Sequence, residues 1–118
     1  GGELDGGAMR KAVRAMLGEH DFSSFSSSAD TSRTKLCRVM SAGLSEAPPL
    51  LSFEIMADHF LHTMVRSIAG TLLEIGAGKP WDVREIMERR DRGAAGPTLP
   101  PHGLYLVGVR YGPPGKIG

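Results

Sequence analysis

The clearest pattern in the chain is a run of apolar residues, three and four positions apart, between residues 60 and 75. This spacing lines one face of an amphipathic helix, and that face must be buried in a core. The apolar positions are Leu61, Met64, Val65, Ile68, Leu72 and Ile75. His62 and Arg66 stand one turn apart, so a helix over this run predicts both side chains on a common side. A guanidinium at the edge of a buried face requires a carboxylate or phosphate partner. No such partner is evident nearby in the sequence.

Two further helices are predicted from the same kind of spacing. The first has apolar positions at Met9, Ala12, Val13, Met16 and Leu17. Asp5 is a possible cap at its beginning, and Gly18 is a natural end. The other helix begins at Pro80, with Asp82 and Glu85 placed to meet the positive end of its dipole.

Three segments have the pattern of strands. Residues 35–44 and 50–57 are joined by a segment with two prolines, and residues 51–57 alternate between apolar and polar positions. Residues 104–111 form the last strand, after a Gly- and Pro-rich connection over 89–103. The order is helix, strand, strand, helix, helix, strand. It predicts an α+β fold, with helices packed on one face of an antiparallel sheet.

A serine-rich stretch after the first helix has neither a helical nor a strand period. It contains Phe22 and Phe25. Two exposed phenylalanines in a linker would leave apolar area in water, so we expect both rings to be anchored on the domain. Residues 29–33 are polar, and we expect them to be mobile.

Composition narrows the class of protein only slightly. A length of 118 residues predicts one domain, and 41% hydrophobic with 23% charged residues is ordinary for a globular protein. The single cysteine, Cys37, excludes an internal disulfide and is compatible with a reducing compartment. Charged residues interrupt the longest apolar stretch, so no membrane span is predicted. A net charge of +1 does not by itself indicate a nucleic acid partner.

Several kinds of site are not supported by residue spacing. Asp58, His59 and His62 lie together, but no further ligand follows at a familiar spacing, so no metal is predicted. Phosphate-binding glycine motifs are absent, and the serines at 23–28 lack the context of a nucleophile. What remains is His62 with Arg66 and the arginine-rich loop before residue 104. These residues predict a surface that binds an anion, either a phosphodiester or a carboxylate.

Three separate stretches resemble the C-terminal half of the tRNA pseudouridine synthase A family, and the resemblance covers about residues 4–111. The matching words are HDFSSF at 20–25, FLHTMVRSIAGTLLE at 60–74, and RDR followed by AAGPTLPPHGLYL within 90–106. Three words in the family's order make the resemblance specific.

The resemblance implies an enzyme that isomerises uridine to pseudouridine in the tRNA anticodon arm without a cofactor. It implies a homodimer in the full-length protein, no membrane partner, and a cytoplasmic or organellar matrix location. The implied division of the chain is a flexible lead-in at 1–7, a C-terminal synthase domain at 8–112 and a tail at 113–118. That domain would be about half of the full enzyme.

The resemblance also assigns roles to individual residues. Arg66 is implied to pair with the catalytic aspartate and to hold it ionised. Leu104 is implied to pack near the target uracil, which must leave its stack to be reached. The substrate-binding residues would be Leu104, His62, Phe22 and Tyr105. The candidates for phosphate contacts are Arg10, Arg14, Arg33 and Arg92. Of these four only Arg92 lies in a family word, and a solvated charge is the alternative for each.

One departure from the family is serious. The catalytic aspartate belongs to a Gly-Arg-Thr-Asp word, whereas the Arg-Thr pair at 33–34 is followed here by Lys35. We therefore expect the chain to be inactive alone and to need the N-terminal half. Addition of the aspartate to the base and a glycal intermediate both stay open. A stand-alone RNA-binding or dimerisation module is the alternative function, and Asp58 or Glu74 is an alternative partner for Arg66.

Overall fold

The computed structural model of the chain describes residues 4–47, 50–100 and 110–111. The helices are α1 (Gly6–Ala15), α2 (Met64–Gly76) and α3 (Val83–Arg89). The strands are β1 (Gly18–Asp21), β2 (Leu36–Ala47), β3 (Leu50–Ala57) and β4 (Arg110–Tyr111), and short 3₁₀ turns occupy Ser23–Phe25 and Arg92–Ala94. The predicted α+β class is confirmed, with one more strand than the sequence pattern indicates.

The strands form one sheet in the order β1-β2-β3-β4. β2 is antiparallel to both β1 and β3, and the β2–β3 register shifts between Val39 and Ser41. β4 pairs in parallel with the end of β3, where Met56 lies opposite Arg110. The sheet is therefore antiparallel through its first three strands and has a parallel pair at its fourth.

The core lies between the helices and one face of the sheet. The predicted apolar face of α2 is buried throughout, at Met64, Val65, Ile68, Leu72 and Ile75. Phe53, Ile55 and Ala57 of β3 are buried while Glu54 is exposed, so the predicted period of two is confirmed. α1 adds Met9, Ala12 and Val13. These side chains form one contiguous cluster.

β1 is the element that sequence analysis misses. Its four residues are exposed or half-buried, so they show no alternation that could reveal a strand. Pairing with β2 defines it instead. The prediction for the two aromatic residues that follow is confirmed, because Phe22 and Phe25 are both fully buried.

The long helix begins at Met64, after the first residues of the apolar run. Thr63 precedes it with a φ of 60°, in the left-handed region that a β-branched residue rarely adopts. Leu61 nevertheless reaches the core from outside the helix, since it is only 3% exposed. The helix ends at Gly76, within the predicted Gly-Ala-Gly segment. The Leu61–Thr63 segment is therefore a strained turn and not the first turn of α2.

The other helix boundaries shift by a few residues. α1 begins at Gly6, two residues before the expected domain start, and the predicted cap Asp5 accepts a hydrogen bond from the Ala8 amide at 3.0 Å. α3 begins at Val83 and not at Pro80, because Asp82 is its cap. The expected tail at 113–118 lies outside the described residues. Within the part that is described, every helix is too short or too polar to cross a membrane.

Candidate functional site

Arg66 lies in the first turn of α2 and is half-buried. Across residues 4–47 and 50–100, no hydrogen bond or ion pair engages its guanidinium. Asp58 and Glu74 were the alternative partners, and neither is paired with it. Asp58 instead accepts a hydrogen bond from the amide of Arg38 at 2.9 Å. The backbone of Arg66 is therefore held by α2, and its guanidinium has no counter-ion among the residues that the structure describes.

The segment at residues 96–99, here called the strap, lies along α2 from Thr71 to Arg66. Its hydrogen bonds to the helix are Gly96 N to Thr71 Oγ1 (2.9 Å), Ser67 Oγ with Thr98 Oγ1 (3.0 Å) and Leu99 N to the Arg66 carbonyl (3.2 Å). Gly70 allows this approach, because a Cβ at that position would overlap the carbonyl oxygen of Pro97. The strap is therefore seated on the helix that carries Arg66.

Arg92 joins the same arrangement. Its guanidinium donates a hydrogen bond to Thr98 Oγ1 at 2.7 Å, so Arg92 is held against the strap. Arg66 and Arg92 come from sequence words about 25 residues apart. The tertiary structure attaches both cations to one unit made of α2 and the strap.

His62 does not share a helix face with Arg66, and that prediction is wrong. His62 lies in the turn before α2, where its amide donates to Asp30 Oδ1 at 2.7 Å. Its ring Nδ1 is 2.6 Å from Ser27 Oγ, and its carbonyl accepts from the Ser27 amide at 3.2 Å. The imidazole is exposed, and its orientation is set by a loop that is distant in sequence.

Asp30 organises that loop, although the segment 29–33 was expected to be mobile. Its side chain is 4% exposed and accepts hydrogen bonds from Lys35 Nζ and Ser32 as well as from His62. The Lys35 ammonium and the His62 amide hold the pKa of Asp30 well below its usual range. An aspartate among polar residues gives no periodic signal, so the sequence did not reveal this role.

Replacing Asp30 by asparagine is expected to lower the free energy of unfolding by about 2 kcal/mol at pH 7, because a charge-assisted pair is lost. The pKa of Asp30 is lower in the folded state than in the unfolded state. Its contribution to the free energy of unfolding is therefore fully present above the unfolded pKa of about 4, and it is lost as the pH falls towards the folded-state pKa. Urea unfolding at pH 7 and pH 3 should therefore show a smaller difference between parent and variant at pH 3. Glu54→Gln, at an exposed carboxylate on β3, is the control. An Asp30→Asn variant as stable as the parent at pH 7 would contradict this role.

The remaining predicted substrate contacts have different outcomes. Phe22 is 0% exposed and packs against Phe25, with ring centroids 6.0 Å apart, and against the edge of His20. The ring therefore packs within the core and cannot touch a base in this conformation. The expected direct contact between Phe22 and the substrate is replaced by a role in the core. Leu104 and Tyr105 lie outside the described residues.

The candidate phosphate contacts are spread over the surface. Arg10 lies 3.8 Å from Glu46 of β2 in an exposed ion pair. Arg14 and Arg33 are exposed and have no ion pair within the described ranges. Of the four candidates, Arg92 is bonded to the strap beside Arg66.

A cysteine of β2, a histidine and an aspartate form a chain of side-chain contacts. Cys37 Sγ is 3.5 Å from His59 Nε2, and His59 Nδ1 is 3.1 Å from Asp58 Oδ1. Burial raises the pKa of Cys37 to about 12, so the thiol stays protonated at neutral pH and is no nucleophile. Among the described residues, no group of three or more His, Cys, Asp or Glu side chains is placed to hold a metal ion.

The sequence of this α+β domain, including α2 and the strap, matches the model of a known protein family. The model of the tRNA pseudouridine synthase family covers residues 12–112. This match covers most of the chain, including α2 with Arg66 and the strap. The chain therefore belongs to the tRNA pseudouridine synthase family.

The curated relatives narrow the comparison within that family, since they are named tRNA pseudouridine synthase A. The relative from Caldicellulosiruptor bescii is 46% identical over 111 residues, which is 92% of this chain and 46% of the relative. Those from Chromobacterium violaceum and Brucella ovis are 46% and 38% identical, with 92% of this chain and 42% and 44% of each relative covered. The chain thus spans less than half the length of these relatives.

Proposed function

We propose that this chain provides an RNA-binding surface and the cation Arg66 to an enzyme that isomerises uridine to pseudouridine in the tRNA anticodon arm. The observation that carries the proposal is Arg66, a half-buried residue of α2 whose guanidinium has no counter-ion in the described part of the chain. A fixed cation favours the ionised form of a carboxylate brought against it and fixes that carboxylate's orientation. This is the role that the resemblance implies for Arg66 beside a catalytic aspartate.

The chain's own aspartates support an external source for that carboxylate. All six of them accept a hydrogen bond from a backbone amide, as caps, as turn-forming groups or, for Asp58, across to Arg38 of β2. They are Asp5, Asp21, Asp30, Asp58, Asp82 and Asp91. Each is therefore already bonded within the fold, and none pairs with Arg66. We propose that the 118 residues alone are inactive and that the aspartate comes from a segment outside them.

The wider assignments follow from the same proposal. His62 presents an exposed, oriented imidazole, and Arg92 presents a cation bonded to Thr98 of the strap, so both are proposed to contact the RNA. Leu104 and Tyr105 are proposed to contact the target uridine. The full-length protein is proposed to act as a homodimer in the cytoplasm or an organellar matrix, without a metal or small-molecule cofactor.

The proposal is tested by pseudouridine formation on an unmodified tRNA transcript. The chain is assayed alone and then with the N-terminal part of the Caldicellulosiruptor bescii relative added. We expect no product from the chain alone and product after the addition. The added part alone is the control, and it should also be silent.

Each other outcome has a definite meaning. Product from the chain alone would show that one of its own aspartates is the catalyst and would overturn the proposed role of Arg66. Binding of the transcript with no product from the combined parts would favour the non-catalytic RNA-binding module.

A further inference from the structure

We propose that a basic groove formed by α1, the end of α2 and the start of α3 binds a second stretch of the tRNA phosphodiester backbone, remote from Arg66. This inference rests on the proposed function and adds to it a separate binding site. The groove is a cavity of about 630 Å³. Its cationic and aromatic lining consists of Lys11, Arg14, Lys79, Arg84 and Trp81.

The charge of the groove is strongly one-sided. Among the described residues, four cations line it and Asp82 is its single carboxylate, whereas the entire chain has a net charge of only +1. Asp82 is already engaged as the cap of α3, where it accepts the Arg84 amide at 2.9 Å. In the described part of the chain none of the four cations has an ion pair. All four are exposed, so their charges are available to a polyanion.

The tertiary structure selects which cations of α1 belong to this surface. The four-residue step in the sequence groups Arg10 with Arg14. In the fold, Arg10 faces Glu46 of β2, whereas Lys11 and Arg14 line the groove. Residues three apart on a helix are neighbours, so these two cations form one patch. Lys79, in the connection after α2, and Arg84 of α3 extend the patch.

Trp81 gives the groove a feature that a general charged surface lacks. It is half-buried and lies among the cations, over an apolar floor that includes Ile75 and Val83. An aromatic ring beside a cationic track is the arrangement on which nucleic acid bases stack while phosphates are neutralised. An acidic protein surface would satisfy the cations but would not need the ring. The combination therefore favours RNA over a protein partner.

The groove is too far from Arg66 to hold the reacting nucleotide. Ile75 follows Arg66 by nine residues on α2, which places it about 14 Å farther along the helix axis at 1.5 Å per residue. One uridine cannot occupy both places. The groove is therefore expected to contribute to affinity for tRNA and not to the chemical step.

The test measures binding of the full chain to an unmodified tRNA transcript at several salt concentrations. Lys11→Gln with Arg14→Gln, and separately Lys79→Gln with Arg84→Gln, should each weaken binding about 5–10-fold. Each pair should also reduce the salt slope by about 1–2. Arg38→Gln with Arg89→Gln removes the same charge from exposed residues that do not line the groove, and it should leave affinity within about twofold. Thermal melts verify that every variant is folded.

Three results would overturn the inference. The groove pairs could bind tRNA no more weakly than the control pair. They could change the sedimentation behaviour of the chain and not its RNA affinity, which would make the groove a protein interface. The parent chain could fail to bind the transcript.

An activity measurement separates this inference from the proposed function. In the reconstituted assay the groove pairs should raise KM with kcat unchanged, because they remove binding that is equal in ground and transition states. If Arg66→Lys lowers kcat while the groove pairs leave KM unchanged, the proposed function stands and the groove inference fails. If the reconstituted mixture forms no product, the proposed function fails on its own test, whatever the groove variants do in binding.

Discussion

Replacing Arg66 by lysine is expected to lower kcat of the reconstituted enzyme by about 10²–10³-fold, the loss typical of removing one preorganised electrostatic contact. A lysine keeps the charge but loses the planar fork that can hold a carboxylate in a single orientation. The strap fixes the backbone of Arg66 through the Leu99 amide, so the side chain of a variant starts from the same place. The measurement is kcat and KM for pseudouridine formation.

The stability of an Arg66 variant shows whether the carboxylate partner of Arg66 lies outside this domain or within it. Because its guanidinium has no counter-ion in the described part of the chain, Arg66→Ala should change the free energy of unfolding by less than about 0.5 kcal/mol. Thermal melts of the isolated chain give this value. A loss of several degrees in Tm would mean that Arg66 is satisfied within the domain, and it would remove the basis for assigning it to an external aspartate.

Replacing Gly70 by alanine is expected to destabilise the isolated chain by about 3 kcal/mol, although alanine is ordinarily the better helix residue. The new methyl group would overlap the Pro97 carbonyl oxygen, so the strap must leave α2. Its three hydrogen bonds to the helix, worth about 1 kcal/mol each, are then lost. Urea unfolding measures the loss, and faster hydrogen exchange at the amides of Gly96 and Leu99 would locate it at the strap.

Gly7→Ala is the matched control for this substitution. Gly7 also lies in a helix, α1, but its added Cβ would meet only the Asp5 carboxylate at 3.5 Å, an ordinary contact. This variant should be as stable as the parent or slightly more stable. Equal stability of the Gly70 and Gly7 variants, with unchanged exchange at Gly96, would show that the strap is not seated on α2 as described.

The missed strand and the shifted helix start have one cause. Local patterns report which residues prefer burial, but β1 is a short strand defined only by its pairing with β2. The turn before α2 is held by Asp30, whose carboxylate accepts a hydrogen bond from the amide of His62, 32 residues farther along the chain. Neither interaction leaves a periodic trace in the sequence. Both required the folded chain to bring distant residues together.

For the candidate site too, some features were predicted from the sequence and others required the fold. The sequence identified Arg66 and Arg92 through family words, and its periodicity placed Arg66 on a helix at the edge of a buried face. Only the fold placed Arg92 on the strap beside α2. Only the fold removed Phe22 from the candidate contacts, because its ring is sealed in the core.

The sequence by itself determined the fold class, the three helices, the β2–β3 pair and the family, because burial periodicity and family words are local properties of the chain. The tertiary structure decided which polar groups meet: Asp30 with the turn at His62, the strap with α2 across Gly70, and Lys11 and Arg14 with the cations of the groove. Hydrogen bonds and shared electrostatic surfaces join residues that are far apart in sequence. Their partners are therefore fixed only when the apolar core has set the distances between elements.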